Sequence, residues 1–122
     1  MEHRPQAARA AALTAALARG GFVAAAEEAE ELLACPDPEA ALARRLTGEP
    51  LAWITGGVDF CGRRIRVDPG VYVPRWHTEL IAERALARGG EIAIDLCTGS
   101  GALAVVTGAM ASDLDPLAVA CA

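Results

Sequence analysis

The apolar positions change period along the chain, from roughly helical in the first third to alternating in the middle. Residues Pro5 to Arg19 are dense in Ala and Leu, with Leu13 and Leu17 four apart, which predicts a helix stopping at Gly20-Gly21. A second helix is predicted from about Phe22 to Ala34, with Val23, Leu32 and Leu33 facing a neighbour and Glu27, Glu28, Glu30 and Glu31 in solvent. Asp37-Pro38-Glu39 starts a third, because Asp caps free amides while Pro38 occupies the first turn without losing a hydrogen bond; it should end near Gly48. Three short helices in succession predict a small helical lobe over residues 1–50.

Beyond Pro50 the texture is that of strands. Trp53-Ile54-Thr55 leads to Gly56-Gly57, and then Val58-Asp59-Phe60 and Ile65-Arg66-Val67 flank the turn residues Cys61-Gly62, predicting a β-hairpin within a linker at 51–73. Val71-Tyr72-Val73 stops at Pro74, and Thr78 to Arg88 reads as an amphipathic helix with Leu80, Ile81 and Leu86 as its apolar positions. The run Glu91-Ile92-Ala93-Ile94-Asp95-Leu96 resembles a strand buried in a parallel sheet, and glycines follow at once. A helix after Gly101 and a second strand through Ala111-Ser112-Asp113 complete one βαβ unit, so the fold class is α/β.

Composition narrows the chemistry more than the fold. Hydrophobic residues make up 53% of the 122, but many are Ala and aromatics are only 4%, which predicts shallow contacts in the helical portion. Sixteen acidic residues against eleven basic ones give a net charge of -5, which argues against general binding to a phosphate backbone. Arg63, Arg64 and Arg66 are then a solvated strand edge, and nucleic acid is not expected as a partner. Cys35, Cys61, Cys97 and Cys121 form no CxxC pair and have no histidine at ligand spacing, so no metal site is expected. No basic segment precedes an apolar leader, and no apolar run is long enough to span a bilayer; a reducing cytoplasmic setting is expected, with no membrane partner.

The chemistry concentrates in Asp95-Leu96-Cys97-Thr98-Gly99-Ser100-Gly101. A dinucleotide loop would carry a third glycine in register, and none follows; a carboxylate at the strand end suits a hydroxyl- or amine-bearing cofactor better than a pyrophosphate. Asp113, at the end of the next strand, can accept both hydroxyls of a ribose, so the two carboxylates bracket an adenosine. A glycine pair alone serves equally well as a tight packing turn; the flanking carboxylates give it the ligand reading.

At these residues the sequence resembles the HemK/PrmC family of protein-(glutamine-N5) methyltransferases, which act on peptide-chain release factors. The resemblance runs from Arg45 to Pro116, through Arg45-Leu46-Thr47-Gly48-Glu49-Pro50-Leu51, Trp53-Ile54-Thr55-Gly56, Phe60-Cys61-Gly62, Val73-Pro74-Arg75, Thr78-Glu79, Asp95 to Gly101 and Asp113-Leu114-Asp115-Pro116. It implies a helical substrate-recognition lobe at 1–50, the hairpin linker, and at 74–122 the start of a Rossmann-like S-adenosylmethionine-dependent methyltransferase domain. It also implies S-adenosyl-L-methionine as cofactor, with Cys97, Thr98, Gly99, Ser100 and Gly101 lining its methionine and ribose end, Asp95 beside them and Asp113 on the ribose. Arg75, Thr78 and Glu79 are further candidates for lining the site, and the implied partner is a protein substrate, a release factor.

Two departures from the family pattern bear on this. The chain reads Pro74-Arg75-Trp76-His77-Thr78-Glu79 where the family has Pro-Arg-Pro-Glu-Thr-Glu, and Cys97 replaces a usual glycine. In such a fold Trp76 and His77 would sit beside the cofactor turn, where the change opens the alternative of a paralogue with a different target. Taken as single residues, His77 reads as a capping or packing residue rather than a general base, and Trp76 as packing. The Asn-Pro-Pro-Tyr motif to which the family's amide methylation is attributed does not occur, so the catalytic residues are unknown and the 122 residues alone are expected to be inactive. The few residues between Gly101 and the second strand look too short for a parallel crossover, predicting residues missing near Val106 to Ala109 and a longer parent protein continuing beyond Ala122. Two alternatives stay open: an amino-methyltransferase of nucleic-acid bases, and a non-enzymatic binding module that keeps the glycine turn only as a fold element.

Overall fold

The computed structural model describes residues 3–122, with side chains from Gln6 onward; the first two residues of the expected lobe lie outside the described residues. The chain divides into two compact units, 1–55 and 56–122, and mixes helices with two small sheets.

The first unit holds α1 (His3–Arg19), α2 (Ala25–Leu33), α3 (Pro38–Leu46) and the short α4 (Leu51–Thr55). Leu13, Leu17 and Leu32 are buried, and Ala25, Ala29 and Ala41 pack among them. Each Ala removes bulk from a helix face, so the backbones approach closely, and the three leucines pack with the half-buried Phe22, Leu33, Leu42, Leu51 and Ile54. The α3 start follows local chemistry: Asp37 Oδ1 accepts from Ala40 N at 3.0 Å, and Pro38 opens the helix.

Three details depart from expectation. Residues 51–55, expected in the hairpin linker with strand texture, form the helix α4 within this unit. Val23 is fully exposed, because α2 begins only at Ala25 and leaves Val23 in the preceding turn, off the helical face that buries Leu32. Glu28 is not solvated. Its carboxylate takes two bonds from Arg45, from Nε at 2.6 Å and Nη2 at 3.0 Å, while Arg45 Nη1 donates to Glu49 O at 2.9 Å. The guanidinium also lies over the Phe22 ring, 4.1 Å from its centroid.

The second unit begins with the antiparallel hairpin β1 (Gly57–Phe60) and β2 (Arg63–Arg66), in which Phe60 pairs with Arg63. Cys61 and Gly62 both adopt positive φ, 49° and 71°, the pattern of a two-residue type I′ turn matched to strand twist. The hairpin buries Phe60 and Ile65 against Ala82 of α5 (Glu79–Arg88) and Ala102 of α6 (Ala102–Thr107). Its arginines face solvent with acidic partners, Arg66 on both oxygens of Asp68 at 2.7 Å and Arg64 3.4 Å from Asp59.

A separate sheet pairs β3 (Ile94–Leu96) with β4 (Met110–Ser112) in parallel, Asp95 opposite Ala111, and α7 (Pro116–Cys121) follows. The two strands are joined by residues 97–109, glycine turn included, which meets the dozen or so that a parallel connection needs. Gly108, left-handed at φ 71°, ends α6 abruptly enough for β4 to start at Met110.

The expected buried strand is in fact open. Ile92, Ile94, Leu96 and Met110 are all exposed, and in α5 the positions Leu80, Ile81 and Leu86 are exposed while Ala82 is the one fully buried. The amphipathic pattern there marks a face that two strands are too few to cover.

Candidate functional site

The site is built on the turn between β3 and α6. Residues 97, 99 and 101 all adopt left-handed backbone, with φ of 58°, 58° and 79°. Glycine takes this conformation freely, whereas at Cys97 it costs about 1 kcal/mol, a strain the surrounding bonds must hold. Those bonds tie the turn to both strand ends: Thr98 Oγ1 donates to Asp95 Oδ2 at 2.6 Å and Thr98 N to Ser112 O at 3.0 Å. Gly99 N donates to Asp113 Oδ2 at 2.9 Å, and Gly101 N to Thr98 O at 2.9 Å. Three turn amides thus serve protein acceptors, so the turn is no open cradle for phosphate.

Asp113 closes the other side. Its Oδ1 accepts from Asp115 N at 2.9 Å, and the Asp115 and Gly99 amides together hold its carboxyl below the ordinary carboxylate range. Each oxygen keeps a further lone pair for a ligand. Asp115 in turn caps α7 by accepting from Leu117 N at 2.9 Å.

Between these elements lies a cavity of about 430 Å³. Asp95, Cys97, Thr98, Gly99, Ser100, Asp113, Arg75 and Thr78 line it, so the structure brings together most of the residues named from sequence. Gly101 stands outside the lining, at the start of α6, with Ala122 so close that a Cβ would lie 3.1 Å from its side chain. Glu79 is also outside. Its Oε1 accepts from Cys61 N at 2.7 Å, so it secures the hairpin turn of the same unit.

Trp76 and His77 do not sit beside the glycine turn. They line a shallow depression with Glu79, Leu80 and Glu83, their rings edge to face at 5.4 Å, and Trp76 is 79% exposed, which removes it from the packing role. The short 3-10 turn at Trp76–Thr78 turns Arg75 and Thr78 toward the cavity and these two rings away from it.

Sequence reasoning missed the segment that faces the glycine turn across the cavity. Gly70, Val71, Tyr72 and Pro74 all line it, and Arg75 Nε donates to Tyr72 Oη at 2.9 Å. The available signal is the only Tyr of the chain, standing three residues before an Arg in a run of strand character.

A volume of this size is within the range of small-ligand pockets, roughly 300–1,000 Å³. Carboxylates at its edge suit hydroxyls or an ammonium group, and one side chain is left unsatisfied: Ser100 is 5% exposed and its Oγ has no hydrogen-bond partner. Enclosing such a hydroxyl without a partner costs about 1–3 kcal/mol, a strain held within the turn itself. Among the described residues no group of three His, Cys, Asp or Glu is placed to hold a metal ion, and no helix is long and apolar enough to cross a membrane.

No family model matches the chain. Individual relatives do. A release factor glutamine methyltransferase of Escherichia coli (strain K12) is 39% identical over 88 residues, covering 70% of this chain and 32% of the relative. One from Nitratidesulfovibrio vulgaris is 46% identical over 81 residues, covering 64% and 28%, and one from Bordetella pertussis is 48% identical over 67, covering 52% and 25%. By name these relatives are enzymes, methyltransferases that act on release factors. The chain spans about a quarter to a third of their length.

Proposed function

We propose that this chain carries the cofactor-binding front portion of an S-adenosylmethionine-dependent methyltransferase that modifies a glutamine side-chain amide of a peptide-chain release factor. The observation that carries the reading is the cavity at the β3–α6 turn, where Asp95 and Asp113 stand at the ends of adjacent parallel strands in a chain so similar to enzymes of that name. On this reading β3–α6–β4 is the start of a Rossmann-like domain, and the helical lobe recognises the protein substrate. The exposed faces of β3, β4 and α5 are covered in a longer protein by elements this chain does not include. Translation would place the protein in the cytoplasm.

When bound, the sulfonium cofactor supplies an electrophilic methyl group. Asp113 would accept hydrogen bonds from the ribose hydroxyls through lone pairs not used by Gly99 and Asp115. Asp95, steadied by Thr98, would face the amino-acid end of the cofactor. An amide nitrogen is a poor nucleophile, so holding the methyl group in line is the main service these residues perform, since orientation alone removes much of a bimolecular barrier.

Calorimetric titration with S-adenosylhomocysteine tests the cofactor half: saturable heat is expected, and its absence sinks the reading in favour of a binding module. For the substrate half, the protein as encoded in its genome is incubated with methyl-labelled cofactor and purified release factor. Label on a glutamine is expected; label confined to nucleic acid added in a parallel reaction would point to a base-modifying enzyme.

A further inference from the structure

Trp76, Leu80 and Glu83 stand at i, i+4 and i+7 across the junction of the 3-10 turn and α5, a spacing that puts them on one side. With His77 and Glu79 they line a depression of about 340 Å³ that shares no residue with the ligand cavity. Its apolar part is open to solvent, Trp76 at 79% and Leu80 at 53%. His77 meets the indole edge to face, at 5.4 Å and 83°, which leaves ring surface uncovered. Two carboxylates accompany the ring. Glu79 accepts from Cys61 N with one oxygen, and Glu83 has no hydrogen bond or ion pair among the described residues. Burial, and then the charges of Glu79 and Glu83, push the Cys61 thiol up, so the negative field of this pair reaches beyond the depression. No arginine lines it.

The lobe shows what such a combination holds. There Phe22 and Glu28 together take Arg45, whose guanidinium carbon is 4.1 Å from the ring centroid while Nε and Nη2 bond the carboxylate. Trp76 and Glu83 offer the same two surfaces, and no arginine of the chain fills them. We propose that this depression docks a segment of another protein that presents an arginine, its guanidinium against the Trp76 indole and the Glu83 carboxylate and its stem along Leu80. A guanidinium is planar, stacks on an indole and offers a fork of donors to a carboxylate, whereas an ammonium is a compact, strongly hydrated charge. The two carboxylates repel a phosphate backbone, which favours a basic protein segment as the occupant in a chain of net charge -5. So small a contact binds weakly by itself and serves as one anchor of a wider interface. It stands whether or not the cavity at the glycine turn holds a cofactor.

The test titrates the isotope-labelled chain with the blocked peptide acetyl-Leu-Arg-Leu-amide and follows the indole N–H resonances by nuclear magnetic resonance. A saturable shift of Trp76 is expected, with the Trp53 indole unmoved. Exchanging the arginine of the peptide for lysine should weaken binding, and exchanging it for glutamate should abolish it. Glu83→Gln removes the charge at a side chain that bonds to nothing in the fold, and Trp76→Leu removes the ring but keeps an apolar group. Each should weaken binding by roughly threefold, read in Trp76→Leu from the backbone amides of Glu79 and Leu80, while Glu27→Gln in the lobe changes nothing. Equal affinity for the glutamate peptide, a Trp76 shift no larger than that of Trp53, or unchanged affinity in Glu83→Gln overturns the proposal. So does a stronger response of Trp76 to oligothymidylate than to the arginine peptide.

Discussion

The helical lobe and the parallel sheet both carry large apolar side chains, and these end in opposite states. In the lobe, Leu13, Leu17 and Leu32 are no more than 3% exposed, while in the sheet Ile94, Leu96 and Met110 are 58%, 72% and 60% exposed. The difference lies in what each element needs. A helix has one apolar stripe, and three neighbouring helices close over it; a parallel strand has two faces and needs cover on both. Stability should therefore concentrate in the lobe and the hairpin, and the sheet should hold through its backbone ladder and the ties of the glycine turn.

The sharpest way to break this contrast is a pair of truncations. Leu17→Ala should cost about 2–5 kcal/mol in urea denaturation followed by helical circular dichroism, whereas Ile94→Ala should stay within about 0.5 kcal/mol. Equal losses would mean that the sheet is closed in solution. Next in size, Arg45→Lys keeps the charge but loses the fork that grips Glu28 and the stacking on Phe22, and should cost about 1–2 kcal/mol by the same measurement.

The exposed sheet predicts strong fluorescence of an apolar dye such as anilinonaphthalene sulfonate, reduced by Leu96→Lys and unchanged by Val23→Lys, which lies outside the sheet. The smallest expected effect concerns Asp113. Its native carboxyl is held below the ordinary value by the Asp115 and Gly99 amides, so its contribution to stability is complete above about pH 4 and is lost as pH falls through the depressed native value. Melting temperatures of the chain and of Asp113→Asn should thus differ by a constant amount from neutral pH to about pH 5 and converge in stronger acid. A gap that widens on acidification would show that Asp113 is strained in its charged form.

Much of this was legible because it is local. Asp37-Pro38 starts its helix, Gly20-Gly21 stops one, Cys61-Gly62 turns the hairpin, and Asp95 to Gly101 joins a strand to a helix. The candidate cavity was legible in the same way: its glycines and carboxylates sit where strands end, and six of the residues named from sequence line it together with Arg75 and Thr78. One failure was local, the helix α4 at 51–55 where strand texture was expected; most of the others involve partners far along the chain or faces whose cover is not local. Glu28 looked solvated until Arg45 reached it; Glu79 looked like a site residue and instead holds Cys61; Tyr72 entered the cavity wall from a segment read only as extended.

The sequence by itself determined most helix starts and stops, the hairpin turn and the strand-to-helix turn at 97–101, because capping, turn geometry and side-chain period act over a few residues. Only the tertiary structure decided which apolar faces are closed, that 97–109 suffice to bring β3 and β4 into register, and that Cys97 and Ser100 border one cavity while Trp76 and His77 turn away from it. Those outcomes depend on distances between segments remote in the chain, and side-chain period carries no record of them.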